Sequence, residues 1–177
     1  DHLALTCRDV AANREFMQVN LGCMLREQIR FENGKVEVGS WMSTTAVHHE
    51  VAYVRDNSDL SGRLHHFALW VDNREDVLRA ADIFMENGIF IEAGPSKHNN
   101  SQAFYLYSHE PGGNRVEVYN AGFMVFAPDF EPVIWDEDNR SGGVYWGQKL
   151  PDSFRSYATP VADESMVDAD APVIDPI

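Results

Sequence analysis

Two histidines and one glutamate, His2, His66 and Glu117, carry the chemistry that can be read from residue types and spacing. Along Arg115-Val-Glu-Val-Tyr119, Val116 and Val118 face one way while Arg115, Glu117 and Tyr119 face the other. A glutamate in mid-strand, opposite an apolar face, must reach solvent or meet a cation. Two imidazoles and a carboxylate with open positions beside them form the facial set that suits non-haem Fe(II) and dioxygen chemistry, and Mn(II) accepts the same ligands. A histidine taken alone has many other uses, as a packed or surface residue. What singles out these two is their common place in a repeated pattern.

The pattern is plainest in Arg63-Leu-His-His-Phe-Ala-Leu-Trp-Val-Asp-Asn73, where Phe67, Leu69 and Val71 alternate with Ala68, Trp70 and Asp72. That period of two reads as a half-buried strand, with His66, Ala68 and Trp70 on one face. The opening of the chain, His2-Leu-Ala-Leu-Thr-Cys-Arg-Asp9, echoes it, so an internal repeat is expected. Each strand leads into a helix. Asp9 is a plausible cap for the first and Gly22 its end; Asp72-Asn-Arg-Glu75 reads as a capping box for the second, closed by Gly88. Val10, Phe16, Met17 and Leu21 form an imperfect apolar stripe on the first helix, and Val77, Ala81, Phe84 and Met85 one on the second.

Strands are expected at 24–31, 35–42 and 50–54 in the first unit, with Asn33-Gly34 as a hairpin turn. In the second unit they are expected at 89–92, 103–108 and 115–119. Both units read β-α-β-β-β, which predicts an α+β domain in which two sheets curve around a shared cleft under outer helices. The modules fall at 1–60 and 61–122. Residues 123–159 form an irregular arm whose aromatics need burial, and 160–177 an acidic tail.

The formal net charge of -14 argues against nucleic acid or an anionic membrane as partner. No apolar run approaches the roughly 18 to 20 residues of a membrane helix, and no secretory leader pattern opens the chain. Cys7 and Cys23 lack metal-type spacing and suit a reduced interior, Cys7 as a core residue, so a cytoplasmic location is expected. The first strand begins beside His2 with no lead-in, from which a fragment of a longer polypeptide is expected.

The elements His2-Leu-Ala-Leu5, Arg63-Leu-His-His-Phe67 and Gly112-Gly-Asn-Arg-Val-Glu-Val-Tyr119 resemble the catalytic domain of type I extradiol ring-cleavage dioxygenases of the catechol 2,3-dioxygenase kind. These belong to the vicinal oxygen chelate superfamily, with its glyoxalase-like paired βαβββ modules. The resemblance runs from His2 to about Thr159. It implies His2, His66 and Glu117 as iron ligands, a catecholic substrate, dioxygen as co-substrate and assembly into homo-oligomers. It also implies a non-catalytic domain ahead of this one. His65 is expected to point off the ligand face and to pack or hydrogen-bond.

The resemblance further implies His49, in Val47-His-His-Glu-Val-Ala-Tyr53, as the acid and base; His98, in Gly94-Pro-Ser-Lys-His98; and Tyr107, in Ala103-Phe-Tyr-Leu-Tyr107. Tyr105 shares the face of Tyr107 and competes for that role. His98 and Tyr107 would hold and polarise the substrate oxygen. Trp41 and Tyr119 would line the ring pocket, with plain core packing the alternative for Trp41. His48 and His109 read as surface residues, and Arg26 and Arg30 as a solvated face.

Relatives that take carboxylated rings carry arginine where this chain has Ala93 and, in Arg140-Ser-Gly-Gly143, glycine. Catechol or its alkyl or chloro derivatives are therefore expected, cleaved beside the diol to a 2-hydroxymuconic semialdehyde. Two other readings stand beside this one. A glyoxalase-like lyase or isomerase would use a fourth protein ligand near Val51 or Glu50, and a metal-free module for sequestering a small molecule would need none of the ligands.

Overall fold

The computed structural model describes residues 1–58, 60, 62–138 and 143–159. The first half gives strand β1 (Leu3–Cys7), helix α1 (Val10–Leu21) and strands β2 (Met24–Phe31), β3 (Val36–Ser43) and β4 (Val51–Arg55). The second repeats that order with β5 (Arg63–Trp70), α2 (Arg74–Glu86), β6 (Ile91–His98), β7 (Phe104–His109) and β8 (Arg115–Asn120). Asp9 caps α1 by accepting the Ala12 N–H at 2.9 Å, and Gly22, left-handed at φ 69°, ends it.

The second helix starts later than its sequence suggests. Asn73, not Asp72, is the cap, accepting the Asp76 N–H at 2.9 Å. The sheet claims the preceding residues: Val71 N donates to Tyr119 O, and the Asn120 amide donates to Val71 O. Both helices bury a narrower stripe than expected. Val10 and Val77 are deeply buried, and Met17, Ala81 and Phe84 pack beside them, whereas Phe16, Leu21 and Met85 are exposed.

Within each half the first strand lies parallel to the last, β1 beside β4 and β5 beside β8. The remaining pairs form antiparallel meanders. The two expected sheets are in fact one, because β1 and β5 pair antiparallel and join the halves into ten strands ordered β10-β6-β7-β8-β5-β1-β4-β3-β2-β9. That seam removes two edges that would otherwise present unpaired N–H and C=O groups. Its register slips once. Ala4 pairs with His66 but Leu5 with Leu64, so His65 is an extra residue bulged out of the ladder.

The arm after β8 is more regular than expected. It adds β9 (Val133–Trp135) parallel to β2, β10 (Val144–Trp146) antiparallel to β6, and the short helix α3 (Asp152–Ser156). Its aromatics divide: Phe123 and Phe154 pack against histidines, while Phe126, Tyr145 and Trp146 stay exposed. The acidic segment 160–177, and Arg140 with its two successors, lie outside the described residues. Apolar contacts sit between each helix and the sheet, around Cys7, Val10, Cys23, Met42 and Tyr53 in the first half and Val77, Leu106 and Val118 in the second. Cys7 is thus the core residue expected.

Candidate metal centre

Where the two halves meet, strand register brings three ligand-type side chains together. His2 immediately precedes β1, His66 lies on β5 and Glu117 on β8. Ala68 pairs with Glu117 across β5 and β8, so His66, two residues before Ala68, shares the face of Glu117. His2 Nε2 lies 3.0 Å from Glu117 Oε2 and 3.3 Å from His66 Nε2, and His66 Nε2 is 3.2 Å from Glu117 Oε2. All three residues are buried.

These separations fit a divalent ion. Donors about 2.1 Å from such an ion stand about 3.0 Å apart at right angles and about 3.4 Å apart in a tetrahedron; the observed 3.0 to 3.3 Å fall within that span. The remaining carboxylate atom, Glu117 Oε1, is buried with no hydrogen-bond partner, 3.5 Å from His98 Nε2. Burial works against an ionised Glu117, but the His2 imidazole, 3.0 Å from Oε2, and the neighbouring imidazoles of His66 and His98 outweigh it and hold the carboxyl well below its usual range. Burial also lowers His66. An anionic carboxylate beside a neutral imidazole is the protonation state that metal binding demands.

The other expected residues surround this cluster and, with it, line one cavity of about 440 Å³. His49, in the loop before β4, packs its ring 3.9 Å from that of His2 and edge-on to Tyr119. Its burial, with His2 and His48 nearby, holds it well below the ordinary histidine value. His98 closes β6; its Nδ1 donates to Gly143 O at 2.9 Å, so Nε2 accepts the Tyr107 hydroxyl, also at 2.9 Å. Tyr107 pairs with Glu117 across β7 and β8, and burial pushes its hydroxyl well above the usual phenol value. Tyr105 stacks on the His98 ring at 4.0 Å and is no part of the cavity wall.

Part of the lining is apolar, from Ile29, Phe31, Val38, Trp41 and Val54, and part is charged, from Arg55, Asp56, Arg63 and Arg155. Trp41 lies across Gly39, where a Cβ would come within 2.8 Å of the indole ring. His109 is half-buried, 3.8 Å from Glu92.

Three expectations need correction. His48 is buried, with Nδ1 2.7 Å from His49 Nδ1 and Nε2 2.8 Å from Glu27 Oε2, at ion-pair distance although not aligned as a hydrogen bond. Arg26 is no solvated residue either. It donates to Ser43 Oγ and Thr45 O and lies under Phe130, because β2 is covered on both sides by β3 and β9. His65 packs and hydrogen-bonds as expected, its Nε2 2.7 Å from Phe154 O, but its ring stands against that of His66 at 4.9 Å and lines the same cavity instead of pointing off that face.

Glu27 was missed altogether. Its carboxylate accepts Ser101 N–H and the Trp135 indole, which fixes the loop behind His48. The signal was present in Arg26-Glu27-Gln28, three polar residues in the middle of a strand. Glu50 spends both carboxylate oxygens on Thr44 and Thr45 in its own loop, away from the three-residue cluster.

Comparison with known proteins follows the same lines. Residues 1–118 match the model of the Glyoxalase/Bleomycin resistance protein/Dioxygenase superfamily. The chain is 39% identical over 170 residues to a metapyrocatechase of Geobacillus stearothermophilus, covering 94% of this chain and 51% of that one. It is 41% identical over 148 residues to a manganese-dependent 2,3-dihydroxybiphenyl 1,2-dioxygenase of Geobacillus genomosp. 3, covering 82% and 47%. Among solved structures, homoprotocatechuate 2,3-dioxygenase from Arthrobacter globiformis superposes with a TM-score of 0.83 at 29% identity, covering 93% of this chain and 50% of that one. The chain spans about half the length of the curated relatives it matches. Among the described residues no helix is long and apolar enough to cross a membrane.

Proposed function

The chain belongs to the Glyoxalase/Bleomycin resistance protein/Dioxygenase superfamily, and from that premise we propose that it is the catalytic domain of an extradiol dioxygenase. On this reading it opens catechol or an apolar-substituted catechol with dioxygen, beside the diol, to a 2-hydroxymuconic semialdehyde; both oxygen atoms enter the product. Residues 1–60 and 61–122 are the two modules of that domain. The observation that carries the reading is the buried convergence of His2, His66 and Glu117 in the lining of a cavity large enough for an aromatic ring. These residues would hold Fe(II) or Mn(II), and the manganese-dependent relative supports the latter choice equally.

A bound divalent metal supplies a Lewis acid for the catechol oxygens and a site where dioxygen is engaged. The chain's own groups do the rest. His49 stands over His2 at the cavity wall, where a neutral imidazole takes the hydroxyl proton released on binding and returns it during ring opening. Tyr107, kept protonated by burial, would turn its hydroxyl from His98 Nε2 to donate to a substrate oxygen, with the His98 ring beside it in the cavity wall. Tyr119 and Trp41 clamp the ring, and the wall of Ile29, Phe31, Val38 and Val54 excludes water.

The same wall, with alanine at position 93 inside β6, supports an uncharged ring substituent. The lyase alternative loses ground because the Glu50 carboxylate is committed to Thr44 and Thr45. A soluble partner of this chemistry also accords with the -14 net charge, which disfavours nucleic acid and anionic membranes.

Anaerobic loading with Fe(II) or Mn(II), followed by catechol and air, tests the proposal. A yellow ring-fission product should form, vanish in Glu117→Ala and fall by about 100-fold or more in His49→Phe, in the usual range for losing a positioned acid or base. Colour persisting in Glu117→Ala would sink the assignment.

A further inference from the structure

Consecutive residues on a strand point to opposite faces, so adjacent histidines do not ordinarily touch. His65 and His66 do, because the ladder between β1 and β5 skips His65. The bulge turns its ring onto the same side, and the two Nδ1 atoms approach to 2.6 Å. The far side of His65 is fixed as well: Nε2 lies 2.7 Å from the carbonyl oxygen of Phe154, in α3.

These contacts determine where the protons sit. A carbonyl oxygen only accepts, so His65 Nε2 carries a proton and donates it to Phe154 O. A neutral His65 then presents a lone pair at Nδ1, and the proton between the rings belongs to His66 Nδ1. The remaining lone pair of His66 is at Nε2, which faces Glu117 Oε2 and His2 Nε2. Metal-binding imidazoles are commonly oriented in this way by a carboxylate, carbonyl or water on their other nitrogen. Here that place is taken by a second imidazole.

We propose that His65 is a positioning residue: it locks His66 as the Nδ1–H tautomer with Nε2 aimed into the cluster, and the Phe154 carbonyl locks His65 in turn. The segment around α3 is itself clamped to this spot. Arg115, fully buried on β8, donates to His65 O and Tyr157 O at 3.0 Å and to Ser153 O at 3.2 Å. The Phe154 ring stands edge-on to His65 at 4.7 Å and to Tyr107 at 4.8 Å. The relay therefore runs from the arm, through the bulge, to a ligand of the centre proposed above. The inference depends on that proposal only for the use made of the free Nε2.

Two measurements on the full chain decide it. In metal-free protein with 15N-labelled imidazoles, long-range 1H–15N correlations should report Nδ1–H for His66 and Nε2–H for His65, with an N–N coupling across the hydrogen bond joining the two Nδ1 atoms. A His66 protonated at Nε2 would overturn the proposal, as would a doubly protonated His65.

In the second, free Mn(II) is followed by electron paramagnetic resonance. His65→Leu should weaken binding by about 10- to 100-fold, while His65→Asn, whose side-chain carbonyl can accept from His66 Nδ1, should stay much closer to wild type. Equal affinity in Leu and wild type would overturn it too. Should His65→Leu fail to fold, the tautomer spectrum and the Asn variant still give the answer. If the wild-type chain binds no Mn(II) or Fe(II), the dioxygenase reading falls, and the relay is judged on the spectrum alone.

Discussion

At the scale of single residues, burial decides which groups are reactive. Cys7 is packed in the core of the first half, and its thiol is pushed up to about 11, by burial first and then by Asp9 and Asp56. Cys23 is raised by burial as well. Thiolate, the reactive species, is then scarce near neutrality. A chromogenic disulfide reagent at pH 8 should find no fast-reacting thiol in the native chain and two after unfolding; a stoichiometric fast reaction in the native chain would contradict the packing.

The candidate ligand set was legible at this scale because His2 and His66 fall at the same place in a repeated pattern and Glu117 stands in mid-strand opposite a valine face. His48, Glu27 and the orientation of His65 were not. The first two depend on loops around Thr45 and Ser101 that fold over β2. The third depends on a single register slip, which alternation of apolar and polar residues cannot reveal.

At the scale of elements, the turn from β4 into β5 carries the ion pair that ties the halves together. Asp56 accepts from Arg63 Nε at 2.8 Å and from Thr6 Oγ1 at 2.9 Å, and Arg63 also reaches Ala158 O. The Arg63 guanidinium, helped by Ser58 and Thr6, holds the Asp56 carboxyl well below the usual range. A depressed carboxylate contributes stability that is present above its unfolded pKa, about 3.9, and is lost as pH falls toward the folded value.

Asp56→Asn should therefore cost about 3 kcal/mol at pH 7, since it strands a buried guanidinium. Urea midpoints should show that gap closing as pH falls from 4 toward 2. A gap that stays constant would mean that the pair contributes through packing alone. The elements themselves followed from two-residue and helical periods, cap by cap. Two depart from this: α2, where Val71 remains in the sheet and moves the cap to Asn73, and β6, expected at 89–92, which runs Ile91–His98.

At the scale of the whole molecule, the repeat was visible but its joining was not. Sequence pattern specifies which face of a strand is apolar, not which strand lies beside it, so the continuous sheet through β1 and β5 had to be seen. The arm's two short strands were hidden for a similar reason: three residues are too few to show a period.

Those short strands have a consequence outside catalysis. β9 and β10 lie on β2 and β6, the two long strands that would otherwise form the rims of the sheet. Long open rims template pairing with other copies, whereas very short rim strands blunt it. The arm thus acts as a guard against aggregation, and Ile134→Pro, which breaks β9, should raise light scattering at neutral pH before any change in the far-UV spectrum. If scattering stays at the wild-type level while the far-UV spectrum is intact, β2 is protected by something other than β9.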